Sequence, residues 1–295
     1  MVALAEREGL SRWQIARILD EARSLGIVTI TVDDPAEYDE HLGGAVSELL
    51  GLERTVVVGP SRQLGIEPSL ESIGSALADH LSGRIREGEA VGLTWSRAIE
   101  SMASQLDQLE PCDVVQLAGA LTLTGDRIGS VEVIRQVARV AHGTAYPIYA
   151  PMVVESPEVR RALEVQEEIA SCLDRAAHLD LAVVSVGTWT ESGSSLFPLL
   201  PDELAAEVAD AGAVGEISGR VFGHDGELVS ETLDERVLGI SAQQLRSVPH
   251  IVATSYGAHR AEATIVAARA GFAHTLIVDA ALARAIVGKL RGTHS

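Results

Sequence analysis

The stretch "EAVGLTWSRAIESM", residues 89–102, decides the fold. Its first half, Ala90 to Leu93, is a short apolar run suited to a buried strand. Its second half has the hydrophobic spacing of a helix. Between them Thr94, Ser96 and Arg97 bring two hydroxyls and a cation to the place where the amides of a helix N-terminus point outward. That geometry suits an anion. Gly92 is read as letting the backbone approach a ligand, and the GxxxxGK[ST] pattern of a P-loop is absent. A strand-loop-helix turn is also common without any ligand, so the rest of the chain has to carry part of the weight.

On either side the same alternation continues. "RTVVVG", "DVVQLAG", "AYPIYAP", "LAVVSVG", "HIVATSYG" and "HTLIVD" are further short strand-like runs. "SLESIGSALADHLSGRI", "VEVIRQVARVAH" and "AEATIVAARAG" carry helical periodicity between them. Strands alternating with helices predict an α/β fold, a Rossmann-like, mostly parallel sheet covered on both faces. Ligands of such sheets bind where strands end and helices begin. The loops in question are "VGTWTESGSSL" with Gly187, Thr188, Ser194 and Ser195, "AVGEISGRVFGHDGELV" with Glu216 and a hairpin turn at "GHDGE", and "SYGAHRAEATI" with Gly257, His259 and Arg260. Asp279 in "IVDAALARAIV" reads as a helix N-cap. Each has a plainer alternative: glycines for turns, Arg260 for a surface ion pair.

With 295 residues, 46% hydrophobic and 22% charged, the chain can bury a sizeable core and hold two domains. Cys112 and Cys172 match neither a zinc spacing nor a disulfide framework, which is the usage of a reducing cytoplasm. No signal peptide or long apolar span is recognisable, so a cytoplasmic protein without a membrane partner is expected. The nine histidines form no His-x-x-x-His pair, and no metal or cofactor is expected.

The formal net charge is -19, yet residues 1–32 balance Arg7, Arg12, Arg17 and Arg23 against Glu6, Glu8, Asp20 and Glu21. The acidity therefore lies entirely in the remainder, and a separable N-terminal module is predicted. Within it, "GLSRWQIARILDEARSLGIV", residues 9–28, reads as a helix capped by Ser11 and ended by Gly26. Ile15, Ile18, Leu19, Ala22 and Leu25 would form its buried face. A short helix precedes it and the strand-like "IVTITV" follows. Arg12, Trp13, Gln14 and Arg17 lie at the helix start, where a DNA-recognition helix presents side chains to base edges and phosphates. A plain amphipathic helix with a solvated arginine face explains the same spacing. The helix that usually precedes such a pair would lie before Met1, so the segment reads as lacking its first helix. The predicted organisation is a helix-turn-helix segment at 1–32, a linker helix at 33–52, and a ligand-binding and oligomerisation domain at 53–295.

Taken in order, "LSRWQIARILDEARSLGIVTI", "AVGLTWSRAI", "VVQLAGAL", "YPIYAPMVVESPEVR", "GAVGEISGRVFGHDGE", "RVLGIS" and "GAHRAEATIVAARAGFAHTLIVDAALARAI" resemble the SorC family of sugar-responsive bacterial transcriptional regulators. The resemblance covers nearly the whole chain. It implies a winged-helix-like DNA reader and an effector domain similar to sugar-phosphate isomerases and deaminases of the ribose-5-phosphate isomerase type. It further implies a repressor that meets operator DNA through Ser11, Arg12, Trp13, Gln14 and Arg17, as a dimer or tetramer. Its phosphorylated sugar effector would meet Gly92, Thr94, Trp95, Ser96 and Arg97, with Gly187, Thr188, Glu216 and Arg260 completing the site. Two positions depart from the family pattern. Ser96 stands where glycine is usual, and Arg260 where lysine is common, which removes the amine a Schiff base needs. The competing reading is a sugar-phosphate isomerase or deaminase with Glu216 and His259 as its acid-base pair. A metabolite-binding relative with weakened DNA affinity is the third.

Overall fold

The computed structural model describes residues 11, 13–14, 17–18, 37–60, 68–121 and 129–292. The chain divides into two compact units, Met1–Pro35 and Ala36–Ser295.

In the smaller unit Trp13, Gln14, Arg17 and Ile18 are helical and exposed. Ser11 caps the helix: its Oγ accepts from Gln14 N at 3.3 Å while Gln14 Oε1 accepts from Ser11 N at 2.9 Å. This reciprocal pair is a capping box. Ile18, expected on the buried face, is 48% exposed. Arg12, Ile15, Leu19, Ala22 and Leu25, the helix end at Gly26 and the "IVTITV" strand lie outside the described residues.

The larger unit is built on a nine-stranded sheet among the described residues. Its strands are β1 (Arg54–Val58), β2 (Ala90–Leu93), β3 (Asp113–Gln116), β4 (Ala145–Tyr146), β5 (Leu181–Thr188), β6 (Gly215–Ile217), β7 (Arg220–Phe222), β8 (His250–Ser255) and β9 (Thr275–Asp279). Seven run in the order β1-β9-β8-β5-β2-β3-β4, every neighbouring pair parallel. The short β6–β7 hairpin continues antiparallel from the last three residues of β5.

The helices are α1 (Glu40–Leu50), α2 (Leu70–Arg84), α3 (Arg97–Gln105), α4 (Ser130–Val140), α5 (Pro157–Glu164), α6 (Glu167–Ala176), α7 (Asp202–Asp210), α8 (Glu231–Asp234), α9 (Ala242–Arg246), α10 (Ala261–Arg269) and α11 (Ala280–Gly292). Alternation along the strands sorts them into two layers. Val91, Leu93, Val114, Leu181 and Val183 point to one face, where Leu77 of α2, Ile99 and Met102 of α3 and Val137 of α4 pack. Ala90, Val115, Ala182 and Val184 point to the other, against Val46 of α1, Cys172 of α6, Ala263 of α10 and Ile286 of α11. A strand buried on both faces has to be apolar throughout, which is why these strands read as runs rather than as alternating patterns.

Two expectations need correction. The 33–52 segment does not contain a linker helix. α1 is continuous through Gly43 and Gly44 and belongs to the sheet's own core, with Val46 and Leu50 buried. Gly43 is where the helix comes closest: a Cβ there would lie 2.5 Å from the carbonyl oxygen of Thr55. Gly92 sits inside β2, paired with Val115 and Ala182. A Cβ at Gly92 would meet the side chains of Leu117 and Leu179 at 2.5 and 2.7 Å. Its missing side chain serves packing, not the approach of a ligand.

The order in which strands are added to the sheet reverses between β2 and β5. From β2 it proceeds outward through β3 and β4; from β5 it proceeds the other way through β8 and β9. Such a switch point opens a crevice beyond the carboxyl ends of the two strands.

Candidate functional site

A cavity of about 500 Å³ lies in that crevice, within the range of small-molecule sites (~300–1,000 Å³). The loop after β2 supplies Thr94, Trp95, Ser96 and Arg97 to its wall, and β5 supplies Ser185, Val186 and Gly187. Glu216, Ser218 and Gly219 enter from the β6–β7 hairpin, and Tyr256 and Arg260 from the segment after β8. Leu121 and Met152 give it an apolar side, and the loop after β5 brings Glu191 and Ser192 through Ser195.

Seven of the nine effector-site residues expected from the sequence therefore line one cavity: Thr94, Trp95, Ser96, Arg97, Gly187, Glu216 and Arg260. Gly92 does not, for the reason given above. Thr188 does not either; its hydroxyl lies 3.3 Å from that of Thr190, and its amide donates to Gly193 O at 3.2 Å, inside the turn that follows β5. Ser96 has a local task as well. It N-caps α3, its Oγ accepting from Ile99 N at 3.2 Å.

Glu216 is buried at the base of the cavity, and four donors converge on its Oε1. Ser194 Oγ and Ser195 N donate at 2.8 Å, with Ser195 Oγ at 3.3 Å and Leu196 N at 3.4 Å. Oε2 takes no hydrogen bond among the described residues. Gly187 makes this approach possible, because a Cβ on it would stand 3.2 Å from both Cγ and Oε1 of Glu216. Burial pushes the Glu216 carboxyl above its ordinary value, and the hydrogen bonds from Ser194, Ser195 and Leu196 oppose the rise.

A raised folded-state value stabilises the fold fully below the unfolded value, and this contribution is lost as pH rises through the folded value. Glu216→Gln removes the titration while keeping an acceptor for the loop. Wild type should therefore lose stability relative to Glu216→Gln as pH rises from about 4.5, near the unfolded carboxyl value, toward 8. Urea midpoints for both proteins across this range check it; a constant difference between them refutes it.

Arg260 was expected either at the ligand or in a surface ion pair. It is 9% exposed and pairs with no carboxylate among the described residues. One terminal nitrogen donates to Tyr256 O at 2.7 Å, and the guanidinium lies 4.4 Å from the centroid of the Tyr256 ring. Arg97, at the start of α3, is exposed and has no ion pair among the described residues.

Ser218, Gly219, Ser185, Tyr256 and Met152 were not singled out in the sequence. Ser218 and Gly219 form the two-residue turn of the hairpin, both with positive φ, 54° and 78°. A serine in that region is uncommon, and no sequence rule would have picked it out.

Five buried side-chain atoms lack a hydrogen-bond partner among the described residues. Two are Nε atoms of Arg160 and Arg246, whose guanidinium groups lie 3.5 and 3.6 Å from the carboxylates of Glu164 and Glu227. The other three, Thr94 Oγ1, Ser218 Oγ and Arg260 Nε, all belong to residues lining this one cavity. A buried donor or acceptor left unmatched costs about 1–3 kcal/mol, so such groups call for a partner. No cluster of metal-ligating side chains occurs among the described residues. No helix there is long and apolar enough to cross a membrane. His259 is exposed and outside the cavity lining, so it does not join Glu216 as an acid-base pair.

A crevice at a parallel sheet's switch point, walled by hydroxyls, a buried cation and two carboxylates, defines a binding domain for a small polar ligand. Residues 34–288 match the sequence profile of the family described as "Putative sugar-binding domain". The chain belongs to this sugar-binding domain family, as its SorC-like motifs led one to expect. It is 28% identical over 292 residues to the deoxyribonucleoside regulator of Bacillus subtilis, covering 97% of this chain and 92% of that protein. It is 25% identical to the erythritol catabolism regulatory protein EryD of Brucella abortus, covering 98% and 92% of the two chains. The full-length sorbitol operon regulator SorC of Klebsiella pneumoniae has the same fold, with a TM-score of 0.76 at 20% identity over 97% of this chain and 93% of that one. These relatives are named as regulators, not enzymes.

Proposed function

We propose that this chain is a DNA-binding transcriptional regulator, a repressor, whose larger unit binds a phosphorylated sugar and whose N-terminal unit reads operator DNA. The observation that carries the effector reading is that Thr94, Ser218 and Arg260, each with a buried polar atom unpartnered among the described residues, all line one cavity. Hydroxyl donors, a guanidinium and the start of α3 suit the anionic end of the ligand. Glu216 Oε2 suits its hydroxyl groups. The relatives' names support the regulatory reading. Their alignments cover 97% or 98% of this chain, so they take in most of residues 1–32.

Regulators of this kind bind operator half-sites through paired readers, which calls for a homo-oligomer, a dimer or a tetramer. Trp13 and Arg17 are one helical turn apart and exposed, and would meet DNA together. Gln14 also holds the helix start through Ser11, so its replacement affects helix stability as well as any base contact. The acidic body, which carries the whole net charge, would stay clear of the phosphate backbone and limit nonspecific binding.

Thermal unfolding in the presence of a panel of sugars and their phosphates tests the effector, because a ligand of the native state raises the melting temperature. A shift with a phosphorylated sugar that is not consumed, followed by a change in operator affinity, is the expected result. Consumption of that sugar would establish an enzyme instead. Thr94→Val should weaken binding of the phosphorylated sugar about tenfold or more, as loss of a charge-assisted hydrogen bond does, and leave operator affinity unchanged. Arg17→Ala should do the reverse, lowering operator affinity and reducing the salt slope by about one. Parallel loss of both activities in either variant would refute the division of labour.

A further inference from the structure

Arg260 reaches the cavity from an unusual piece of backbone. The 3₁₀ turn Ala258–Arg260 begins at Gly257, whose φ is +87°. Arg260 N donates to Gly257 O at 3.0 Å, and Thr264 Oγ1 donates to Arg260 O at 2.8 Å. The rear of the turn is thus held by α10. Its front is held from elsewhere: Gly257 N donates to Asp279 Oδ2 at 2.9 Å, across from the carboxyl end of β9. The other oxygen of the same carboxylate, Oδ1, accepts from Leu282 N at 2.7 Å and caps the first turn of α11. One side chain therefore fixes the start of the C-terminal helix and the strap that carries the cation.

We propose that Asp279 is a positioning residue of the effector site. It fixes Gly257, and through Gly257 the direction in which the Arg260 guanidinium enters the cavity. The proposal rests on Arg260 being the cation that meets the effector's anionic group. Glycine in the left-handed region is held there by its hydrogen bonds alone, with no side chain to restrict it. A binding group has to be held to about 0.5 Å for full effect. The other contacts of Arg260 among the described residues are to Gly257 O, Tyr256 and Thr264, within its own turn and α10. An acidic residue at a helix start already has a sufficient explanation in capping, and the Gly257 bond is what goes beyond it.

Two variants of the full chain separate these roles. Asp279→Ser keeps a hydroxyl able to cap Leu282 N but is too short to hold Gly257 as well. Asp279→Asn keeps one acceptor for Leu282 and sets an amide NH2 against Gly257 N–H. Amide exchange in a peptide spanning residues 256–260, and affinity for inorganic phosphate measured by titration, are compared with wild type and Arg260→Gln. Faster exchange confined to that peptide is expected, together with an affinity loss of at least tenfold matching that of Arg260→Gln. The Asp279→Ser/Arg260→Gln double variant should lose no more than either single variant. Unchanged exchange, undiminished phosphate affinity, or additive losses in the double variant would each overturn the assignment. If wild type itself binds no phosphate, the reading of Arg260 fails. Exchange at 256–260 then still decides whether Asp279 holds the strap.

Discussion

Arg220→Ala is expected to cost about 3–5 kcal/mol, the range for removing one member of a buried, fully bonded charged group, and to be among the most damaging single substitutions in the domain. Arg220 is 1% exposed, the largest fully buried side chain among the described residues. Its guanidinium gathers a whole loop. Nε donates to Ile240 O at 2.8 Å, one terminal nitrogen to both Asp234 O and its carboxylate at 3.0 and 2.8 Å, and the other to Gly239 O at 3.0 Å. Truncation removes the guanidinium from these backbone carbonyls and from the Asp234 carboxylate. Arg220→Lys keeps the charge but has a single nitrogen in place of the fork, so it should lie between wild type and alanine. Urea unfolding would show the order as falling midpoints at unchanged slope. The loss should also reach the cavity, because Arg220 follows the Ser218–Gly219 turn directly. Equal midpoints for Arg220→Lys and wild type would show that the carbonyl contacts contribute little.

The sheet was legible because each central strand is apolar on both faces and short, and because the helices between strands carry strong periodicity. The crevice followed from chain direction alone, since loops after β2, β5 and β8 all end on one side. What escaped reading depended on contacts distant in sequence. Gly43 and Gly44 look like helix breakers, yet Gly43 is what lets α1 lie against Thr55. Gly92 looks like a ligand-approach glycine, yet Leu117 and Leu179 explain it. The charged run of α5 was passed over although Ser156 and Pro157 mark its start, Ser156 Oγ accepting from Val159 N. Arg260 could be read as a surface cation because nothing local announces that Asp279, at the end of β9, anchors its turn. Ser218 entered the site through a hairpin pairing that links Ile217 with Arg220, and local propensity says nothing of that.

Arg260→Met is expected to abolish effector binding while leaving the free protein as stable as wild type or more so. A buried cation with no carboxylate partner among the described residues destabilises the empty domain, because its desolvation is offset there by Tyr256 O and the Tyr256 ring. Met fills similar volume, keeps contact with the ring and removes Nε, one of the three unpartnered atoms at the cavity. Against an anionic effector the balance reverses. Loss of a buried, hydrogen-bonded charge contact costs about 2–5 kcal/mol, equivalent to roughly 30- to several-thousand-fold in affinity. The two effects oppose each other in sign, so one pair of melting curves separates them: the melting temperature without effector holds or rises, and the shift produced by the phosphorylated sugar disappears. Operator binding by Arg260→Met should remain and become insensitive to that sugar. A variant that melted lower and still responded to effector would mean that the guanidinium braces the strap and does not meet the ligand. The opposing signs follow from the role proposed for Arg260: a buried cation with no carboxylate partner among the described residues would gain one only when an anionic effector binds.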